Sequence, residues 1–197
     1  MTDAPQRIAF LSPRFADGAT VGGAETLMRQ LDERAAGAGY RVDFLTTCAR
    51  NHFTWRNELP PGERVVGSLT VRYFPVDTNR DVAAFLRVQD RIGHLAEISR
   101  DEELAWHRHN VNSPALCDFL RAEGRNYHRI IMGPYLFGLV FFASQAHPEK
   151  TLLLPCLHDE SFAYLHTIRD MFRSVAGWIF NSVPERDLAV RDRKSVV

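Results

Sequence analysis

Short apolar runs alternate with amphipathic stretches along the whole chain, and this rhythm limits the fold more than any other feature of the sequence. Ile8-Ala9-Phe10-Leu11 is unbroken in apolarity, as a strand covered on both faces requires. Ala24 to Ala36 places Leu27, Met28, Leu31 and Ala35 on one helical face, with Gly37 and Gly39 as stop signals, and Val42 to Thr47 is a second strand. A strand, a helix and a strand of this length form a right-handed βαβ unit in one parallel sheet.

The rhythm continues downstream. Cys48 to Ser68, with Pro60-Pro61-Gly62, reads as an extended loop, and Leu69 to Phe74 as a strand. Asp81 to Ile98 is expected to be a helix with Val82, Phe85, Leu86, Ile92 and Leu95 inward. Ser113 followed by Pro114 marks a helix start, and that helix runs to Gly124. Arg129 to Met132 is a strand, and Phe137 to Ala146 a helix. Thr151 to Leu157 is a strand, Ser161 to Val175 a helix, and Trp178 to Phe180 the last strand. Ser182-Val183-Pro184-Glu185 has the capping-box pattern, and the chain ends inside or just after the helix it opens. The expectation is one Rossmann-like α/β domain over residues 1–197, a doubly wound, mostly parallel sheet of about six strands.

Lys+Arg and Asp+Glu both number 24, so overall charge gives no ground for nucleic-acid binding. Cys48, Cys117 and Cys156 are far apart and form no C-x-x-C pair, which argues against a disulfide framework or zinc ribbon and fits a reducing, cytoplasmic setting. The polar start from Met1 to Arg7 does not resemble a signal peptide, and the apolar stretch Tyr135 to Ala143 is too short to span a bilayer. His107-x-His109 lacks a third ligand nearby and reads as surface.

Ligands of doubly wound sheets sit beyond the carboxyl ends of the strands, so residues just after each strand are the candidates. After Leu11 come Arg14 and then Gly22-Gly23-Ala24-Glu25 opening a helix, where free N–H groups favour an anion, or where the turn simply caps the helix. Neither G-x-G-x-x-G nor a P-loop is present, which disfavours a dinucleotide-dependent dehydrogenase. After Leu157 come His158, Asp159 and Glu160, a histidine beside two carboxylates. The alternative there is a cap by Asp159 or Ser161, with His158 in a structural hydrogen bond. Asn181 and Ser182 follow Phe180, where they can cap the next helix, the stronger reading of the residues alone, and also face the cleft; Tyr135 follows Met132-Gly133-Pro134, placed to stack on a sugar or to fill the core.

In order and spacing, Arg7 to Leu11 with Gly22-Gly23-Ala24-Glu25, Pro155 to Glu160, and Phe180-Asn181-Ser182-x-x-Glu185 resemble glycosyltransferase family 4. Ser113 to Leu116 and Pro134-Tyr135-Leu136 are similar to a bacterial subgroup of it, one associated with polysaccharide biosynthesis. The resemblance covers about Arg7 to Arg191. It implies the first, acceptor-side domain of a retaining GT-B enzyme, moving a hexosyl group from a nucleotide-sugar to a glycan or lipid-linked acceptor. Gly22 and Gly23 would approach the donor diphosphate. His158 is the catalytic candidate, and Arg14, Glu25, Tyr135, Asp159, Glu160, Asn181 and Ser182 are acceptor or cleft candidates. No metal or other cofactor is implied. The donor-binding second domain is expected to be absent from these 197 residues, leaving a fragment inactive alone, and peripheral contact with a membrane's inner face is left open. One departure stands out: many members carry a histidine where this chain has Gly133-Pro134-Tyr135. The alternative is a truncated, non-catalytic glycan-binding or regulatory module.

Overall fold

A computed structural model describes residues 5–15 and 22–191. The expectations for the first four residues, for loop 16–21 and for the chain end at 192–197 lie outside the described residues. The strands are β1 (Arg7–Leu11), β2 (Arg41–Thr47), β3 (Gly62–Val66), β4 (Leu69–Phe74), β5 (Arg129–Met132), β6 (Thr151–Leu153) and β7 (Gly177–Trp178). The helices are α1 (Gly23–Gly37), α2 (Val82–Gly93), α3 (Arg100–His109), α4 (Pro114–Glu123), α5 (Gly138–Ala143), α6 (His166–Ser174) and α7 (Val183–Arg191).

The strands form one seven-stranded sheet in the order β3-β4-β2-β1-β5-β6-β7. Every neighbouring pair is parallel except β3 with β4. The expected Rossmann-like α/β fold is therefore the one observed, with one more strand than the sequence led us to expect. Alternation along β1 serves two cores. Ile8 and Phe10 pack with Phe44 and with Met28 of α1, whereas Ala9 and Leu11 pack with Trp106, Leu120, Leu139 and Phe172 on the other side. From β1 the chain winds outward through β2 to β4, then returns to β5 and winds the other way. The switch between β1 and β5 places the crevice at their carboxyl ends.

At the opposite ends of the strands, buried Asp43 of β2 ties the sheet together. It accepts from Arg7 at 2.5 Å, from Arg72 at 3.2 Å and from the Tyr127 hydroxyl at 2.7 Å. Burial, then the Asp43 bond, raises the Tyr127 pKa, so this phenol stays a donor.

Several expectations need correction. The loop expected over Cys48 to Ser68 contains β3, an exposed edge strand with little apolar patterning to announce it. Arg100–His109 is a helix opened by a full Ser99/Glu102 capping box. On α2 the inward side is Phe85, Val88 and Ile92, while Leu86 and Leu95 are 53% and 80% exposed and Val82 is also exposed. The single helix expected over Ser161 to Val175 is a 3-10 turn, Ser161–Tyr164, followed by α6. The break has a partner: the Glu103 carboxylate on α3 accepts the N–H groups of His166 at 3.0 Å and Thr167 at 2.7 Å, capping α6 from another helix. The strands expected over Thr151 to Leu157 and Trp178 to Phe180 are shorter: pairing covers Thr151–Leu153 and Gly177–Trp178. His107 is not surface: it is fully buried on α3, stacked on Phe141 at 3.9 Å between ring centroids.

Candidate functional site

The parallel strands β1, β5, β6 and β7 have their carboxyl ends on the same side of the sheet. Gly133, after β5, lies so close to the Leu154 carbonyl that any side chain there would collide with it. The Gly133–Pro134 peptide is cis, and the Tyr135 N–H donates to the Pro155 carbonyl at 3.1 Å. The loops after β5 and β6 are thus joined by backbone contacts.

The larger cavity, of about 940 Å³, is open to solvent and lies between α1, the loop after β6, and α7. On one side are Gly23 and Ala24, which open α1. Gly22 precedes them as an N-cap without a side-chain hydrogen bond, so no capping side chain among the described residues takes the first N–H groups of this 15-residue helix, which suit an anion. Nothing lies within 4 Å of where a Gly23 side chain would begin, so the space beside that backbone is open. Opposite stand His158 and Asp159 after β6, and Asn181 and Ser182 after β7.

His158 is exposed, and its imidazole makes no hydrogen bond to any described residue. Asp159 is held in place: it accepts from the Tyr164 hydroxyl and, at 3.4 Å, from Arg191 of α7. Asn181 donates to the Cys156 sulfur at 3.5 Å. Ser182 caps α7 by accepting the Glu185 N–H at 3.3 Å. The Glu185 carboxylate is itself buried and accepts the backbone N–H groups of Leu157 at 2.7 Å and Asn181 at 2.6 Å. The strand ends after β6 and β7 are therefore held by one side chain.

The smaller cavity, of about 380 Å³, has Arg14, Arg80, Glu160 and an aromatic lining of Trp55, Phe85, Trp106, Phe137 and Phe162. Arg14 is already engaged, in an ion pair with Glu25 at 2.5 Å and a bond to the Arg50 carbonyl at 3.2 Å. Glu160 accepts the Tyr135 hydroxyl at 2.7 Å. Tyr135 is fully buried, and burial followed by the Glu160 bond raises its pKa, so it serves Glu160 as a donor. Burial lowers the Arg80 pKa, with Asp77 acting in the opposite sense.

The structure thus separates the candidates. Gly23, His158, Asp159, Asn181 and Ser182 line the larger cavity, while Arg14 and Glu160 line the smaller one. Gly22 precedes the α1 terminus at the larger cavity, and a side chain there would start 2.7 Å from the Glu25 carboxylate. Glu25 is buried against Arg14 and lines neither cavity, and Tyr135 is core. Arg80 and the aromatic lining were not singled out as site residues from sequence; they come from five separate segments, and no spacing links them. The joining role of Glu185 was visible only as a capping-box letter. Among the described residues, no group of three or more His, Cys, Asp or Glu side chains gathers to hold a metal, and no helix is long and apolar enough to cross a membrane.

No protein-family model matches the chain, and no curated protein matches it in sequence. Among solved structures, it is similar to sucrose-phosphate synthase from Thermosynechococcus elongatus, with a TM-score of 0.58 and 16% identity over 96% of this chain and 45% of that one. It is also similar to α,α-trehalose 6-phosphate synthase from Burkholderia multivorans, with a TM-score of 0.56 and 16% identity over 96% of this chain and 43% of that one. The chain spans less than half the length of either, and at this identity the likeness is one of fold. The chain therefore has the Rossmann-like α/β domain architecture found in these GT-B structures.

Proposed function

We propose that the chain is the acceptor-side domain of a retaining GT-B glycosyltransferase that moves a hexosyl group from a nucleotide-sugar to a glycan or lipid-linked acceptor. One observation carries the reading: the glycine-capped N-terminus of α1 lines a cavity at the strands' carboxyl ends together with His158, whose imidazole bonds no described residue. Backbone donors there suit the donor diphosphate, which Gly22 and Gly23 allow to approach closely. His158 is the group of this chain nearest in character to a sugar-binding or proton-handling residue at that cavity.

Among the described residues, the charged groups lining the larger cavity are Asp159, Glu185, Asp187 and Arg191. Each of the three acids is already hydrogen-bonded or ion-paired, and Arg191 is committed to Asp159. Among the described residues no uncommitted cation lines this cavity, so the reading assigns the offset of the diphosphate charge to a second, donor-binding domain and invokes no metal or other cofactor. Turnover belongs to the two domains together, in the cytoplasm and, for a lipid-linked acceptor, at the inner face of the membrane.

The test is an amide NMR titration of this chain with uridine, guanosine and adenosine diphosphate sugars, with NAD in parallel. Nucleotide-sugar should shift the Gly23, His158 and Asn181 resonances. Shifts with NAD alone, or none at these residues with any nucleotide-sugar, would overturn the reading.

A further inference from the structure

The smaller cavity has a different chemistry from the larger one. Its aromatic side chains come from the loop after β2, from α2 and α3, from the residue before α5 and from the turn before α6, so residues of this chain line it from five segments. Aromatic faces of this kind suit the C–H faces of a sugar ring. At 380 Å³ the cavity falls near the lower end of the roughly 300–1,000 Å³ range of small-molecule pockets.

Two charged groups retain unused capacity there. Glu160 gives one carboxylate oxygen to Tyr135 and keeps the other for a hydroxyl. Arg80, half-buried, has no hydrogen bond or ion pair with any described residue. Asp77 influences it, but that carboxylate accepts the Asn79 N–H at 2.9 Å and forms no ion pair with Arg80. A guanidinium held beside aromatic rings without a carboxylate partner is a ready fork for an oxyanion. Arg80 and Glu160 sit on different loops and are not ion-paired with each other, so the cavity offers both a cationic and an anionic group.

We propose that this cavity binds a saccharide bearing an acidic group, a carboxylate or a phosphate, with Arg80 taking the acid, the edge-to-face pair of Trp55 and Phe137 forming one wall beside the ring, and Glu160 accepting a hydroxyl. The binding stands on the cavity alone. Its use, as the seat of an acidic acceptor, rests on the transferase reading above.

Calorimetric titration of the chain with methyl glucuronide, glucose 6-phosphate, methyl glucoside and inorganic phosphate tests it. At least one acidic sugar should bind about tenfold or more tighter than methyl glucoside, as a charge-assisted bidentate contact implies. The tighter of the two identifies the acid as carboxylate or phosphate. Arg80→Gln should abolish that preference while leaving methyl glucoside binding and the melting temperature unchanged, and Arg80→Lys should restore part of it. Trp55→Ala should weaken neutral and acidic sugars alike. Equal affinity for all sugars, an acid preference that survives Arg80→Gln, or inorganic phosphate binding as tightly as the sugar phosphate would overturn the proposal. The nucleotide-sugar titration reads the larger cavity, so loss of the acid preference with Gly23 still responding sinks this inference alone. The converse result sinks only the transferase reading.

Discussion

Glu185, in the first turn of α7, accepts the backbone N–H of Leu157, which lies 28 residues earlier, at 2.7 Å. Its second oxygen takes the Asn181 N–H at 2.6 Å. A carboxylate has acceptor capacity for both bonds, whereas an amide has one oxygen and would turn a donor toward the other N–H. Glu185→Gln should therefore cost about 2 kcal/mol, the scale of a lost hydrogen bond to a charged group. For a chain of this size, that loss lowers the melting temperature by roughly 4–8 °C. Differential scanning calorimetry checks it, and an unaltered melting temperature would show that the carboxylate does not hold these strand ends.

Gly23 separates folding from function. The space around it is open, and an acidic residue in a first helical turn is favourable by about 0.3–1 kcal/mol. Gly23→Asp should thus melt at or slightly above the wild-type temperature, yet repel a diphosphate and weaken nucleotide-sugar binding by more than about tenfold. If binding is unchanged, the helix terminus is not the diphosphate site.

His158→Ala makes the matching prediction from the other side of the cavity. The imidazole is exposed and bonded to no described residue, so its removal should leave the melting temperature within about 1 °C, as for surface substitutions generally. Turnover of the two-domain enzyme should nonetheless fall by about a hundredfold or more, the lower side of what acid–base groups contribute. Equal turnover would make His158 part of the scaffold only.

The parts legible in the sequence are those where apolar pattern and burial coincide. β1, β2, β4 and β5 carry their own core residues, and the Ser113-Pro114 start of α4 is a local signal that no tertiary contact overrides. The α3 helix was hidden because its inward groups include Glu103 and His107, polar residues buried for interhelical bonds to α6. Its Ser99-x-x-Glu102 box was the available clue. For the site, strand ends could be read from topology and so led to Gly23, His158, Asn181 and Ser182. Arg80, Trp55 and Trp106 meet only through packing of distant segments, which no local spacing records.

Asp32 on α1 is fully buried, with neither carboxylate oxygen hydrogen-bonded to a described residue. Burial raises its pKa to about 7, against an opposing but smaller effect of Arg29. A raised acid favours folding when protonated, so its contribution is fully present below about pH 4 and is lost as pH rises through 7. The displacement corresponds to a ceiling of roughly 4 kcal/mol. Asp32→Leu keeps a similar volume without the charge, and should raise the melting temperature more at pH 8 than at pH 5. An equal change at both values would mean that Asp32 folds with its charge satisfied.

His107 tilts stability the other way. Its ring is buried, Nε2 lies 2.9 Å from the Thr167 hydroxyl, and Nδ1 has no partner among the described residues. Burial lowers its pKa to about 3, so the folded ring stays neutral while the unfolded one protonates near 6.5. Its contribution is present above 6.5 and is lost as pH falls toward 3. Between about pH 4 and 6.5 the two groups therefore oppose each other, Asp32 favouring acid and His107 favouring base. Relative to wild type, Asp32→Leu should lose its added stability on acidification through this window. His107→Phe, which can still stack on Phe141, should gain stability relative to wild type, and the double variant should track wild type most closely. Denaturant melts of the four proteins at half-unit pH steps would show it, and single variants running parallel to wild type would mean that neither group changes protonation on folding.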